Sequence, residues 1–169
     1  MRITRRHLLA LTSASAAAAT VCAGGIAIRW WDQPAGVGYQ ALSEHEAAFV
    51  RAFGGAAFPG GAVIALDGSD ADLDRFFDAM LAAMPALTGN LLKLLIQALD
   101  GETMLTHGAR YTTLRRQIQQ EQLEALRQSR VVAVRNAVDS LIVLLGMGYT
   151  THPSVAPLMS QWHRCGYGR

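Results

Sequence analysis

From residue 42 onward, apolar residues return every three or four positions, the spacing of helices that each bury one side. Ala47, Val50, Phe53 and Ala57 make the first such series. Ser43 and Glu46 precede it at capping-box spacing: the serine accepts from a free first-turn N–H, and the glutamate returns a bond to the cap. Pro59-Gly60-Gly61 stops this helix. A second start lies at the acidic cluster Asp70 to Asp74, followed by the stripe Leu73, Phe76, Phe77, Met80, Leu81 and Met84. Pro85 closes that helix and suits the first turn of the next. Leu87 to Leu99 is apolar on almost every side, with Lys93 its single charge. That pattern predicts a central helix surrounded by others, ended by Gly101.

Tyr111 to Gln128 is polar, with Leu114, Ile118, Leu123 and Leu126 as a sparse apolar face. An outer helix, or a pair broken near Gln119 to Glu121, fits this pattern. Val131 to Gly146 carries the stripe Val134, Val138, Leu141, Ile142 and Leu145, and Arg135 and Asp139 stand four apart as a pair on one face. Gly146, Gly148 and Pro153 are expected to break it before a short helix over Val155 to Trp162. The charge-free run Ser140 to Thr151 is too short to cross a membrane. No stretch alternates with period two long enough to require a sheet. The expected fold is all-α, a single domain of five or six helices over residues 42–169, joined by a flexible tether at 32–41 to an N-terminal segment at 1–31.

That N-terminal segment reads as an address. Thr4-Arg5-Arg6-His7-Leu8-Leu9 places paired arginines before 21 uncharged residues, Leu8 to Ile28, and resembles a twin-arginine (Tat) export signal. The run is long enough to span a bilayer, though rich in Ala, Ser and Thr, and Trp30-Trp31 at its end favour an interface. Cleavage near Val21-Cys22-Ala23, retention of 8–31 as an anchor and lipidation at Cys22 all remain open. The expected location is the periplasm or the periplasmic face of the inner membrane.

Removing this segment changes the charge picture. The chain has 15 basic and 13 acidic side chains, net +2, but Arg2, Arg5 and Arg6 supply three of the basic ones. The remainder is close to neutral, so nucleic-acid binding loses its support. What is left, about 140 residues, is the size of one domain.

Candidate chemistry is sparse. If Cys22 leaves with the signal, Cys165 stands without a partner for an internal disulfide. His163 and Cys165 are the one close pair of soft ligands, a weak metal candidate, since two ligands do not make a site. Asp67, Asp70, Asp72, Asp74 and Asp78 lack the glycine and bidentate glutamate of a calcium loop and read as a solvated cap. Gly54-Gly55 and Pro59-Gly60-Gly61 read as turn glycines, and Gly146-Met147-Gly148 lies at a helix end without the strand that a dinucleotide or phosphate loop requires. His45 reads as a solvated first-turn residue. No catalytic, cofactor-binding or metal residue is assigned to this chain.

Two short patterns resemble a known family. Leu42-Ser43-Glu44-His45-Glu46-Ala47 leading to Ala57-Phe58-Pro59-Gly60-Gly61 is similar to the first helix of gluconate 2-dehydrogenase subunit 3-like proteins. Gly148-Tyr149-Thr150-Thr151-His152-Pro153-Ser154-Val155, with Gly166-Tyr167-Gly168, is similar to that family's C-terminal patterns. The resemblance implies a cofactor-free small subunit of a periplasmic dehydrogenase. Its large partner would carry FAD and belong to the glucose-methanol-choline class, a cytochrome c subunit can take the electrons, and the Tat signal would export the assembly.

Partner contact is expected in the C-terminal segment, where Tyr149, Trp162, Arg164, Tyr167 and Arg169 concentrate side chains common at interface hot spots. Tyr149 and Trp162 closing the end of the bundle is the alternative. Two other classes stay open: a membrane-tethered helical adaptor unrelated to redox chemistry, and a free-standing periplasmic enzyme or metal protein using His107, Tyr111, His152 and His163.

Overall fold

Ser43 caps the first helix as its spacing requires: its backbone N–H donates to Glu46 Oε2 at 2.8 Å, and its Oγ accepts from the Glu46 N–H. Helix α1 (Glu44–Ala57) starts there. In this computed structural model, which describes residues 33–162, five further helices follow: α2 (Leu73–Ala83), α3 (Ala86–His107), α4 (Arg116–Arg127), α5 (Val132–Thr151) and α6 (Ala156–Trp162). Short 3₁₀ turns lie at Gly68–Asp70 and Tyr111–Thr113. The described residues contain no strand, and the fold is all-α. Among the described residues, those from Pro34 onward belong to one compact unit.

The central helix is α1, not the apolar segment the sequence singled out. It packs against α2, α3, α4, α5 and both 3₁₀ turns. Phe49, Val50 and Phe53 are fully buried, and Phe49 and Phe53 meet the Tyr111 ring at centroid distances of 5.3 and 6.0 Å. Glycine is the reason this helix can be approached so closely. Gly54 and Gly55 are buried inside α1 rather than in a turn. A Cβ on Gly54 would come within 2.6 Å of Leu73 Cδ1, and one on Gly55 would overlap the Arg116 guanidinium.

Helix α3 runs through Gly101 to His107, where Gly108, at φ 66°, ends it in the left-handed conformation that glycine tolerates. Its main packing partners are α1 and the Tyr111–Thr113 turn. It buries Ile96 and Leu99 but leaves Leu87, Leu91 and Leu94 in contact with solvent. An apolar composition identified a helix that something must cover, but within this unit only one side is covered.

In α5, Gly148 plays the part of the glycines in α1. The helix continues past Gly146 and Gly148, because Gly148 lies against the Phe76 ring, where a Cβ would be 2.5 Å from Cδ1. Val138, Leu141 and Leu145 face the core as their spacing predicts. Arg135 and Asp139 do not pair: Arg135 Nη1 donates to the Ser129 carbonyl at 2.6 Å, and Asp139 accepts from Arg127 Nε at 3.4 Å. By length and composition α5, at 20 residues and mean hydropathy 1.3, could cross a membrane. Here it packs on α1, α2, α4 and α6. The 111–128 region breaks at Leu114-Arg115, giving a turn and then a single helix, earlier than the expected break near Gln119.

From Gly36 onward the expected tether is built into the domain. Asp78, buried on α2, accepts from the backbone N–H groups of Gln40, Ala41 and Leu42 at 2.8–2.9 Å. Tyr39 donates its hydroxyl to Asp74 at 2.5 Å, with Arg51 Nη1 3.1 Å from the same carboxylate oxygen. The Gly36 N–H donates to the Leu42 carbonyl at 2.8 Å. Three otherwise free N–H groups and a matching carboxylate fix a segment whose glycines alone suggested freedom.

Candidate functional site

In the acidic run Asp70 and Asp72 are exposed, as a solvated cap predicts, and Asp67 caps the Gly68–Asp70 turn. Asp67, Asp74 and Asp78, however, are also engaged with other elements. Asp67 bridges the end of α1 to α4: both its oxygens accept from Arg116 Nη2 at 2.7 Å, and its Oδ1 accepts from the N–H and Oγ of Ser69. Burial alone would raise this carboxyl. The bonds from Ser69, Arg116 and the Gly60 N–H outweigh burial and hold it at about 2. Asp78 is lowered in the same way: burial opposes ionisation, and the three N–H groups of residues 40–42 overcome it. Asp72, at φ 49°, starts α2 without a side-chain cap.

Above the N-terminus of α1 lies a second polar group. His45 Nε2 is 2.9 Å from Asp100 Oδ2 on α3, and Arg110 Nη1 sits 2.9 Å from Nε2 and 3.1 Å from Nδ1. Asp100 also accepts from the Tyr111 N–H at 3.1 Å. His45 is half-buried and braced, which corrects the expectation of a solvated residue. A histidine oriented by a carboxylate is the base half of a catalytic triad. Among the described residues, however, the ring's hydrogen-bond partners are Asp100 and Arg110, with no serine, threonine or cysteine for it to activate. The arrangement ties α1, α3 and the following turn together. A related brace joins Glu46, which is fully buried: Gln97 Nε2 donates to it at 3.0 Å and Lys93 Nζ lies 3.3 Å away.

The residues of the free-standing enzyme reading have separate tasks. His107 Nε2 is 2.9 Å from Gln122 Oε1, and that amide in turn donates to Glu102, joining α3 to α4. The Tyr111 ring is buried, with its hydroxyl donating to the Gln119 carbonyl at 3.0 Å, and burial pushes its pKa up. His152 Nδ1 accepts from the Ser154 N–H at 3.2 Å. Among the described residues no group of three His, Cys, Asp or Glu side chains is placed to hold a metal ion.

Of the expected partner-facing residues, Tyr149 is placed inside. It is buried on α5, its ring stacks on Phe58 at 4.8 Å, and its hydroxyl donates to the Leu66 carbonyl at 2.7 Å. That bond joins α5 to the loop before α2 and withdraws Tyr149 from the surface. Trp162 ends α6; its side chain lies outside the described residues, as do Arg164, Tyr167 and Arg169, the pair His163 and Cys165, the export residues Arg5 and Arg6, and the segment 8–31.

One cleft of about 340 Å³ opens between α1, α4 and α5. Ala57, Leu123 and Ile142 line it together with the charged pair Glu124 and Arg127. Those two pair at 3.6 Å, and Arg127 also contacts Asp139, so these charges compensate one another. A different surface is apolar: Leu87, Leu91, Leu94, Met104 and Leu105 stand exposed on α3. The sequence expectation of a surrounded helix covers Leu87, Leu91 and Leu94 but not Leu105, and it differs from the structure because composition shows that a face is apolar and not what covers it.

Compared with protein-family models, curated proteins and solved structures, the chain gives no significant match.

Proposed function

We propose that this chain is a non-catalytic small subunit that binds and stabilises an FAD-dependent dehydrogenase of the glucose-methanol-choline class and carries it through the Tat pathway to the periplasm. The observation that carries the reading is Arg5-Arg6 before the uncharged run Leu8 to Ile28, a signal for exporting folded cargo. It is supported by the resemblance of Leu42–Gly61 and Gly148–Gly168 to gluconate 2-dehydrogenase subunit 3-like proteins. The first pattern coincides with a defined structural unit, the capped start of α1 and the turn at its end. The polar groups inside the domain bond mainly to one another and brace helices, as suits a chain whose work is done at its surface. The flavin would belong to the partner, and a cytochrome c subunit can accept its electrons.

Co-purification tests this reading. The full chain, recovered from the periplasm or inner membrane of its own cells, should bring down a flavoprotein with a flavin absorption spectrum. Arg5→Lys with Arg6→Lys should hold both proteins in the cytoplasm, since lysine does not reproduce the planar guanidinium contacts. A chain that reaches the periplasm through the general secretory route, without a flavoprotein, would refute it and leave the tethered adaptor.

A further inference from the structure

Helix α3 carries an uncovered apolar seam with an internal symmetry. Leu87, Leu91, Leu94, Ala98, Gly101 and Leu105 follow one another at steps of four, three, four, three and four residues, the repeat of a coiled-coil contact line. The large members are open to solvent: Leu87 is 72% exposed, Leu91 54%, Leu94 45% and Leu105 89%. Ala98 is exposed too, and a Cβ built on Gly101 meets no atom within 4 Å. The seam is therefore two ridges of leucine with a dip between them.

The order of ridge and dip reads as its own complement. Turned end for end about position 96, the seam sets Leu91 against Gly101, Leu94 against Ala98 and Leu87 against Leu105. The leucine ridge of one helix then enters the dip of an identical helix, and the same contact forms again across the two-fold axis. An interface in which residue i meets j and j meets i is what a symmetric dimer requires. Small residues opposite leucines let the two axes approach to about 8–10 Å.

Charge on the seam does not oppose a second copy. Leu87 to Leu99 holds a single charge, Lys93, and it is engaged inward, donating to the Ala41 carbonyl at 2.9 Å beside Glu46. Asp100 is buried and Glu102 is held by Gln122. No free like charges meet when two copies are apposed. Counting Met104, the exposed parts amount to about three whole large side chains, a patch of a few hundred Å², about the largest that a monomer usually exposes and a size that is often functional. Its flanks, Thr88, Asn90 and Thr106, extend it toward the ~800 Å² per partner of a stable interface.

We infer that α3 is a homodimerisation helix, pairing antiparallel with α3 of a second copy of this chain about a two-fold axis near residue 96. The inference stands apart from the proposed export role, because it concerns contact between two copies and not with a flavoprotein.

Sedimentation equilibrium of the full chain, in detergent if residues 8–31 are retained, tests it. The wild-type chain is expected to be a dimer. Leu94→Glu and Gly101→Leu should each weaken it by about tenfold or more, the first by burying a charge and the second by filling the dip. Both positions face solvent in the single chain, so circular dichroism should show unchanged helix content. Leu91→Ala combined with Gly101→Leu restores a ridge facing a dip and should recover dimer that Gly101→Leu alone loses. A monomeric wild-type chain overturns the inference, as does a dimer indifferent to all three variants. It is equally overturned if hydrogen exchange shows the seam covered by residues 8–31 or by a flavoprotein in a complex holding one copy of this chain.

Discussion

Arg116 donates from one nitrogen, Nη2, to both carboxylate oxygens of Asp67, 49 residues away, at 2.7 Å each. The guanidinium passes over Gly55, where any larger residue would occupy its place. One ion pair thereby sets the position of α4 against the C-terminal half of α1. Because both side chains are partly exposed, solvent screens the pair, and Arg116→Ala should cost about 1–2 kcal/mol in urea unfolding. Gly55→Val should cost at least as much, by displacing the same group. Unchanged midpoints for both would show that α4 is held elsewhere.

Acid should unfold the domain over a defined window. Asp67 is held at about 2 in the folded chain, against about 3.9 for a free aspartate. A depressed folded pKa contributes stability that is fully present above the unfolded value and lost as pH falls through the folded one. Asp78, also lowered, acts in the same direction. Stability should therefore decline between roughly pH 5 and pH 2, and Asp67→Asn should flatten that decline. Fluorescence-monitored urea titrations at stepped pH measure the slope, and an identical slope in the variant would refute the assignment.

Asp78→Ala leaves three backbone N–H groups without their acceptor. A loss of about 2–4 kcal/mol is expected, since each buried donor left unpaired is costly. Amide hydrogen exchange should accelerate at Gln40, Ala41 and Leu42 in particular. Asp139→Ala, at an exposed pair, should stay within about 0.5 kcal/mol.

The two sides of α3 should respond differently to truncation. Ile96→Ala, at a fully buried position, is expected to cost about 2–5 kcal/mol. Leu94→Ala, measured at low protein concentration, should cost under about 1 kcal/mol. Equal losses would place Leu94 in the core.

Tyr149→Phe keeps the stack on Phe58 and removes the bond to the Leu66 carbonyl, for a cost of about 1 kcal/mol. Tyr149→Ala should cost about 3–5 kcal/mol. Deleting the residues after Ser160 leaves this packing in place and should preserve the helical circular dichroism signal. If the deleted chain unfolds, the tail belongs to the core. If it folds and loses a flavoprotein partner, the tail carries the interface.

Whatever depends on neighbours a few residues apart was written in the sequence. Ser43 and Glu46 cap α1 because the cap and its acceptor are three residues apart. Pro85 separates α2 from α3, and Val138, Leu141 and Leu145 share a face, because backbone geometry alone imposes both. The all-α class follows from such local rules. Tertiary structure decided what depends on distant partners. Asp78 is a buried anchor because residues 40–42 return to it, and His45 is braced because Asp100 and Arg110 arrive from 55 and 65 residues away. Gly54, Gly55 and Gly148 look like breaks in a linear reading, yet they are contact points, since the groups that fill their missing side chains come from other helices. Apolar composition marks Leu87, Leu91 and Leu94 as a surface that water disfavours. Only the packed chain shows that its own helices leave that surface open, because α1 fills the centre and covers α3 from one side.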